Sequence, residues 1–491
     1  MKQGFDNNQY VRIQSAHIRE RIQQFGNKLY LELGGKLFDD HHASRILPGF
    51  EPDSKLRMFA ELQDSLEILI VISALDIERS KIRQDLGIAY NEDVLRLREE
   101  FMQRGFYVSA VVITHYNGQT SADLYRERLS RIGIKSYLHY TIDDYPNNVT
   151  LIDSEQGFGK NDFVPTTRPL VVVTAPGPGS GKMAVCLSQL YHEHRNGVRA
   201  GYAKFETFPV WNLPLRHPIN VAYEAATADI NDVNMIDPFH LEAYGKVAIN
   251  YNRDIEIFPV LNALFEGIYG TSPYKSPTDM GVNMVGYCIS DDEVCQEAAR
   301  QEIIRRYFTA LNRVALGLSN EQEVNKIRLL MQQLKIDPTI RKTMVAARQR
   351  AAETGFTASA IELHDGTIVA ANSGDLLGCS AALLLNVTKH LAGIEHKKLL
   401  IPQSMIEPIQ NMKVQYLGAH NPRLHSDEVL VALSVLSEHN DDCRLALQQL
   451  PKLKGCQVHS TVMLGEVDKR IFRKLGIEIT CDPIPKEQIK K

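Results

Sequence analysis

Two periodicities alternate along this chain. Short apolar runs bounded by polar or glycine-rich turns read as buried strands. Longer stretches with an apolar residue at every third or fourth position read as helices. A helical pattern covers roughly 10–25, and a strand from residue 29 runs into a Gly34-Gly35-Lys36 turn. Strands at 67–74, 108–114 and 136–140 follow, with helical spacing across 82–105 and 122–132. The β-branched run Leu170-Val171-Val172-Val173 leads into a glycine-rich turn, after which Met183, Leu187, Leu190 and Tyr191 share one helical face. A further strand is expected at 199–205. Strands this apolar, alternating with helices, predict a mostly parallel sheet covered on both faces. In such sheets ligands sit outside the carboxyl ends of the strands.

The pattern then changes twice. Residues 206–290 are rich in Asn, Asp, Pro and Tyr and poor in long periodic helices, yet Trp211, Phe239, Tyr251 and Phe258 argue for an ordered segment that lines a site. From 291 to 354 the spacing is helical almost throughout, as expected of a spacer or an oligomer surface, with helices at 293–318, 321–334 and from Asp337-Pro338 to 352. Beyond 356 the alternation returns: strands at 358–364 and 367–371 flank Asp365-Gly366, a strong hairpin signal. A buried helix at 381–391, a strand at 398–401, a helix beginning near Ser426 or Asp427, and a strand around His459 complete it. The expected fold is therefore multi-domain α/β: an α/β domain at 1–290 carrying the glycine loop and the Asn/Asp-rich region, a helical segment at 291–355, and a C-terminal α/β domain at 356–491.

Composition narrows the classes. A formal net charge of −4 argues against a nucleic-acid binder, and the seven scattered cysteines, with no C-x-x-C pair, suit a reduced compartment. Apolar runs such as 68–75 are far short of a membrane span, and the polar N-terminus shows no secretory core. A cytoplasmic protein that binds a small molecule, without membrane or nucleic-acid partners and with a homo-oligomer in prospect, is the expectation.

The chemistry concentrates at Pro176-Gly177-Pro178-Gly179-Ser180-Gly181-Lys182-Met183. A strand, a glycine loop ending in Gly-Lys and then a helix is the arrangement that cradles phosphate. Loop N–H groups and the helix's positive end face the anion, and the lysine reaches the outer phosphates. Gly177, Gly179, Ser180, Gly181 and Lys182 are the residues expected to bind ATP or another phosphate compound, with Mg²⁺ as companion. Two positions depart from the consensus: Pro176 stands at the first glycine, and Met183 offers no hydroxyl to Mg²⁺. A turn that only packs a helix on the sheet is the competing reading. Lys204, at the end of the next strand, supplies a second cation; Asp76, Asp229, Asp237 and His240 are candidates for orienting metal or moving a proton. Each of these acids could equally cap a helix. The Asp39-Asp40-His41-His42 cluster suggests a metal site or a plain polar loop. Cys379, His425 and His459 are a candidate nucleophile–base set, against which stands the frequency of buried cysteine as a small hydrophobe.

Three resemblances attach to these residues. The glycine loop followed by Ala200-Gly201-Tyr202-Ala203-Lys204 resembles the start of dethiobiotin-synthetase-type P-loop enzymes over about 168–208, which implies phosphate and substrate roles for Lys182 and Lys204. The runs 174–183, 204–214 and 276–283 (Ser276-Pro277-Thr278-Asp279-Met280-Gly281-Val282-Asn283) are similar to an uncharacterised bacterial family known as a domain of unknown function, over nearly the full length. That likeness implies a multi-domain α/β protein and brings no reaction with it. The hairpin after 356, Cys379-Ser380 at a helix start and the following strand resemble the cytidine-deaminase-like fold, without the H-x-E and P-C-x-x-C residues that zinc deamination needs. The leading expectation is a nucleotide-dependent transferase or ligase acting on a small metabolite. The alternative is a non-catalytic protein that binds a phosphometabolite for regulation or assembly.

Overall fold

The structure, a computed structural model, describes residues 2–35, 37–38, 40–83 and 87–484. The chain divides into two compact units, one from 2–224 with 231–299, the other from 225–230 with 300–491.

The first unit is built on seven parallel strands: β1 (Leu29–Leu33), β2 (Leu66–Ser73), β3 (Tyr107–Tyr116), β4 (Ser136–Tyr140), β5 (Leu170–Thr174), β6 (Gly201–Phe205) and β7 (Gly281–Val282). Their order is β7-β6-β1-β5-β2-β3-β4. Every residue of β1, β2 and β5 is buried, which explains their unbroken apolar runs. The helices include α1 (Asn7–Gln24), α2 (Tyr90–Gln103), α3 (Thr120–Arg131), α4 (Lys182–Arg195) and α5 (Asn252–Tyr269).

The strand order sets where a ligand can go. From β1 the chain steps across β5 to β2 and on to β3 and β4; from β5 it returns through α4, past β1, to β6. Right-handed crossovers in opposite directions put their helices on opposite faces of the sheet. The chain thus leaves the end of β5 to the opposite side from its neighbours β1 and β2, and the carboxyl end of β5 is a switch point of this sheet.

Three expectations are refined or corrected. The 82–105 stretch is mostly helical, as expected, but its start is not: Ile82–Arg83 pairs antiparallel with Ile88–Ala89, and the helix begins at Tyr90. Gly87, at φ 70°, supplies the turn. Within 206–290 lies the 18-residue helix α5, which carries Pro259 inside it and buries Ile255, Phe258, Leu261, Leu264, Phe265 and Ile268. Spacing of three and four residues holds that helix to the core although the proline removes one donor. Residues 398–401 form bends rather than a strand; their backbone is tied by Lys389 Nζ donating to the carbonyls of His396 and Lys398.

The second unit contains the helices α6 (Asp292–Ala315, which begins in the first unit), α7 (Glu321–Gln333) and α8 (Lys342–Thr354). Its sheet comprises β8 (Ala358–Glu362), β9 (Ile368–Asn372), β10 (Gln457–Ser460) and β11 (Glu478–Cys481), in the order β9-β8-β10-β11. The β8–β9 hairpin turns at Gly366, φ 86°, as Asp365-Gly366 predicts. The helices α9 (Cys379–Leu391), α10 (Ser426–Leu436) and α11 (Glu466–Lys474) also belong to this unit. Among the described residues no helix is long and apolar enough to cross a membrane.

Candidate functional site

At the switch point β5 ends at Thr174 and residues 175–181 carry the chain into α4. Gly179 and Gly181 take φ values of 75° and 84°, a left-handed conformation that suits glycine. Gly177 serves a different need: a Cβ there would come 2.3 Å from the Tyr90 hydroxyl. The loop is fastened to β3 by Thr114 Oγ1, which donates to the Ser180 carbonyl at 2.6 Å. Gly181 caps α4 and has no side chain to satisfy the first N–H groups. Those donors and the positive end of a 14-residue helix are open to an anion. Ser180 Oγ is buried with no hydrogen-bond partner, and Lys182 has no partner among the described residues. Met183 packs against the core of the sheet.

On the other side of β1 lies a charged cluster. β1 pairs with β6 so that Glu32 stands beside Lys204, and with β5 so that Glu32 also stands beside Val173. Alternation along β6 puts Tyr202, Lys204 and Glu206 on one face. Lys204 Nζ donates to Asp254 Oδ1 and Oδ2, both at 2.7 Å, and to the Tyr251 hydroxyl at 3.0 Å, and it lies 3.0 Å from Glu206 Oε1. Tyr251 donates its hydroxyl to the same Glu206 Oε1, while Tyr202 donates to Glu32 Oε2 at 2.6 Å. Asp254 comes from the first turn of α5. Gly34 makes room for this: a Cβ there would meet Glu206 Cγ at 2.9 Å.

The charges reshape each other. Burial works against the Lys204 ammonium, but Asp254 and Glu206 outweigh it and hold the group well above the ordinary lysine range. Burial, followed by repulsion from Asp254, pushes the Glu206 carboxyl up to about 7, against the opposing pull of Lys204 and Tyr251. Burial and the neighbouring carboxylates raise the Tyr251 phenol, which stays protonated. The Tyr251 ring is stacked on Tyr223, itself stacked on Phe208, with centroids 6.3 and 5.7 Å apart.

The other candidates fall in varied places. Asp76 sits in the first turn of the short helix after β2, 3.2 Å from Lys81. His115, at φ 50°, places Nδ1 3.2 Å from Thr114 Oγ1, and burial lowers its pKa. Asp237 caps the helix Pro238–Tyr244, accepting from the His240 N–H at 3.0 Å and from the Thr278 hydroxyl at 2.6 Å. His240 Nδ1 lies 3.1 Å from Ser276 Oγ. The structure brings Asp237 and His240 together as a brace between 237–244 and 276–280. Asp229 belongs to the second unit, 3.9 Å from Arg313. Asp40 pairs with Lys55 at 2.9 Å; Lys36 and Asp39 lie outside the described residues. Cys379 Sγ is 3.8 Å from Ser460 Oγ, His425 bonds Asp468, and His459 bonds Thr480, so each has its own partner. A cavity of about 540 Å³ lined by Phe239, Glu242, Glu266 and Lys275 shares no residue with the loop or the cluster. Among the described residues no three His, Cys, Asp or Glu side chains are grouped as a metal site requires.

Tyr251 is signalled in the sequence only as an aromatic of the segment expected to line a site, and Glu206, Asp254 and Glu32 have no individual role assigned by sequence reasoning. The alternating Tyr202-x-Lys204-x-Glu206 pattern is the one signal that points toward them.

These features define an α/β protein with a parallel sheet, a glycine loop at its switch point and a buried charge cluster beside it. Residues 3–335 match the family described as Domain of unknown function DUF1846, N-terminal, and residues 339–489 match its C-terminal counterpart. The chain is 55% identical over 481 residues to a UPF0371 protein of Corynebacterium urealyticum, covering 98% of this chain and 97% of that one. It is 54% identical over 483 residues to a UPF0371 protein of Streptococcus uberis, covering 98% of each. A Corynebacterium aurimucosum UPF0371 protein is 56% identical over 482 residues, covering 98% of this chain and 97% of the relative. The chain belongs to this DUF1846, or UPF0371, family.

Proposed function

We propose that this protein binds a nucleotide, ATP or a similar phosphate compound, at residues 175–182 and transfers a phosphoryl group to a small metabolite in the cytoplasm. The reading is carried by one observation: the uncapped start of α4, with the buried unpartnered Ser180 hydroxyl and the free Lys182, lies at the switch point at the carboxyl end of β5. Open N–H groups and a lone ammonium in that position suit a polyphosphate. Met183 brings no hydroxyl, so a Mg²⁺ arriving with the nucleotide would take its ligands from phosphate oxygens, water and residues other than this one. The Lys204 ammonium is engaged by its own neighbours and serves the cluster as counter-ion.

A second reading, a phosphometabolite-binding protein without turnover, is favoured by that same Met183 and by the two prolines that remove N–H donors from the loop. Calorimetric titration with MgATP, ADP and inorganic phosphate tests the first step. Lys182→Ala is expected to weaken MgATP binding by about 10- to 100-fold, the weight of a charge-assisted contact. Unchanged affinity in that variant overturns the assignment. Binding without consumption of ATP across an acceptor panel decides for the second reading.

A further inference from the structure

Glu206 is held in an uncommon way. Both donors that touch it, the Tyr251 hydroxyl and the Lys204 ammonium, are directed at Oε1. Oε2 has no hydrogen-bond partner among the described residues. Gly34 lies against its Cγ, and about a fifth of the side chain (21%) remains accessible. One oxygen fixes the carboxylate and the other is left to face a ligand. Among the described residues the cluster is also unbalanced: Glu32, Glu206 and Asp254 supply three carboxylates against the ammonium of Lys204. An acceptor that carries a carboxylate of its own is disfavoured there, and a neutral or cationic one is favoured.

We propose that Glu206 Oε2 is the proton acceptor for a neutral or cationic alcohol, which takes the phosphoryl group; this rests on the nucleotide reading of the loop. As the alcohol O–H bond breaks, its proton passes to Glu206 Oε2. The alcohol oxygen bonds to the terminal phosphorus, and the bond from that phosphorus to the bridging oxygen breaks. The electron pair leaves with the nucleoside diphosphate, whose charge Lys182 offsets. Glu206 then returns its proton to water. Tyr251 and Lys204 are positioning residues that set the carboxylate's orientation and basicity. Among the described residues, the groups that act on Glu206 are Lys204 on the strand it follows, Tyr251 and Asp254 at the start of α5, and Tyr223 from the helix Pro218–Ala226. With its carboxyl pushed up to about 7, Glu206 accepts a proton in the ionised form, so turnover rises with pH through about 7 and is lost below it.

The experiment compares wild type with Glu206→Gln, which keeps the shape and the Oε1 acceptor. MgATP binding is measured by calorimetry. Transfer is followed with terminally labelled ATP on a panel of neutral alcohols, amino alcohols and matched carboxylic acids from pH 5 to 9. In parallel, wild type is treated with a water-soluble carbodiimide and glycine ethyl ester and mapped by peptide mass, because carbodiimides attack protonated carboxyls. The expected result is MgATP affinity within about twofold in the variant, transfer lowered by at least about 100-fold, and loss of the limb near pH 7. Glu206 is expected to be the most heavily labelled carboxyl at pH 6, with labelling falling through pH 7. In Tyr251→Phe the limb moves to higher pH, since that hydroxyl favours the ionised carboxylate. MgATP binding with undiminished transfer in Glu206→Gln, preference for carboxylic acids, or absence of selective labelling overturns the role of Glu206. A wild-type protein that does not bind MgATP overturns the loop reading and the transfer built on it.

Discussion

The glycine loop and the Lys204 cluster flank the same strand, β1, and are put together on opposite plans. At the loop, groups are left open: Gly181 caps α4 without a side chain, the Ser180 hydroxyl is buried unpartnered, and Lys182 pairs with nothing described. At the cluster nearly everything is closed, with Lys204 shared among Asp254, Glu206 and Tyr251. An open buried hydroxyl costs the fold about 1–3 kcal/mol, which a ligand can recover. A closed buried charge network gains little net stability, but removing one member leaves the others uncompensated. Substitution at the loop should therefore disturb binding, and loss of the cluster's cation should disturb folding.

The largest effect tests that contrast at its centre. Lys204→Met leaves Glu32, Glu206 and Asp254 without their cation and is expected to cost about 3–5 kcal/mol in urea unfolding. Adding Asp254→Asn should restore part of this, because the repulsion is then reduced. Lys182→Ala, by comparison, should move stability by less than about 0.5 kcal/mol, since Lys182 contacts no described partner. Equal destabilisation by the two lysine substitutions would erase the distinction between the regions.

A second, smaller effect separates the cluster's members by pH. Glu206 has its carboxyl raised from 4.5 to about 7, so the folded protein binds a proton more tightly than the unfolded chain. Its contribution is fully present below pH 4.5 and is lost as pH rises through about 7. With 1.36 kcal/mol per unit the loss is at most about 3 kcal/mol, reduced by solvent reaching the side chain. Glu206→Gln should flatten stability between pH 5 and 8 and be more stable than wild type at pH 8, measured by thermal unfolding at matched salt. A wild-type protein whose stability does not fall across that window would mean that Glu206 titrates as an ordinary carboxylate.

The two regions also differed in how far they could be read from residues alone. The loop is contiguous, so Gly177 to Lys182 declare it by composition and by the strand and helix on either side. The parallel sheet was legible for the same local reason: runs such as Leu66–Ser73 are buried on both faces. The cluster is drawn from β1, β6 and α5, and its geometry depends on β1 being inserted between β6 and β5. Chain order does not reveal that insertion, so Lys204 is visible as a site residue, Tyr251 only as an aromatic of the expected site-lining segment, and Glu32, Glu206 and Asp254 have no role that the sequence assigns. α5 itself was hidden by Pro259 and by its polar Asn252-Arg253-Asp254 start. Asp237 illustrates a different obstacle. An aspartate before a proline suits a catalytic acid and a helix cap alike, and only its bonds to His240 and Thr278 identify the cap.

The smallest expected effect marks where the loop's surroundings end. Asp76 pairs with Lys81 at 3.2 Å, and the lysine is 42% exposed, so the pair is worth about 0–1 kcal/mol. Asp76 also acts electrostatically on His115, whose Nδ1 approaches the Thr114 hydroxyl that holds the Ser180 carbonyl. If this chain of neighbours is only packing, Asp76→Asn should change unfolding free energy by less than about 0.5 kcal/mol and MgATP affinity by less than twofold. If calorimetry instead shows a tenfold loss, the loop is tuned from the end of β2, and the open region extends to that neighbouring strand end. The cluster predicts no such reach on its own side, because the bonds of Lys204 and Glu206 among the described residues go to Asp254 and Tyr251, at the start of α5, and to each other. A null result at Asp76 beside a large loss of MgATP affinity at Lys182 would confine nucleotide binding to the loop at the end of β5.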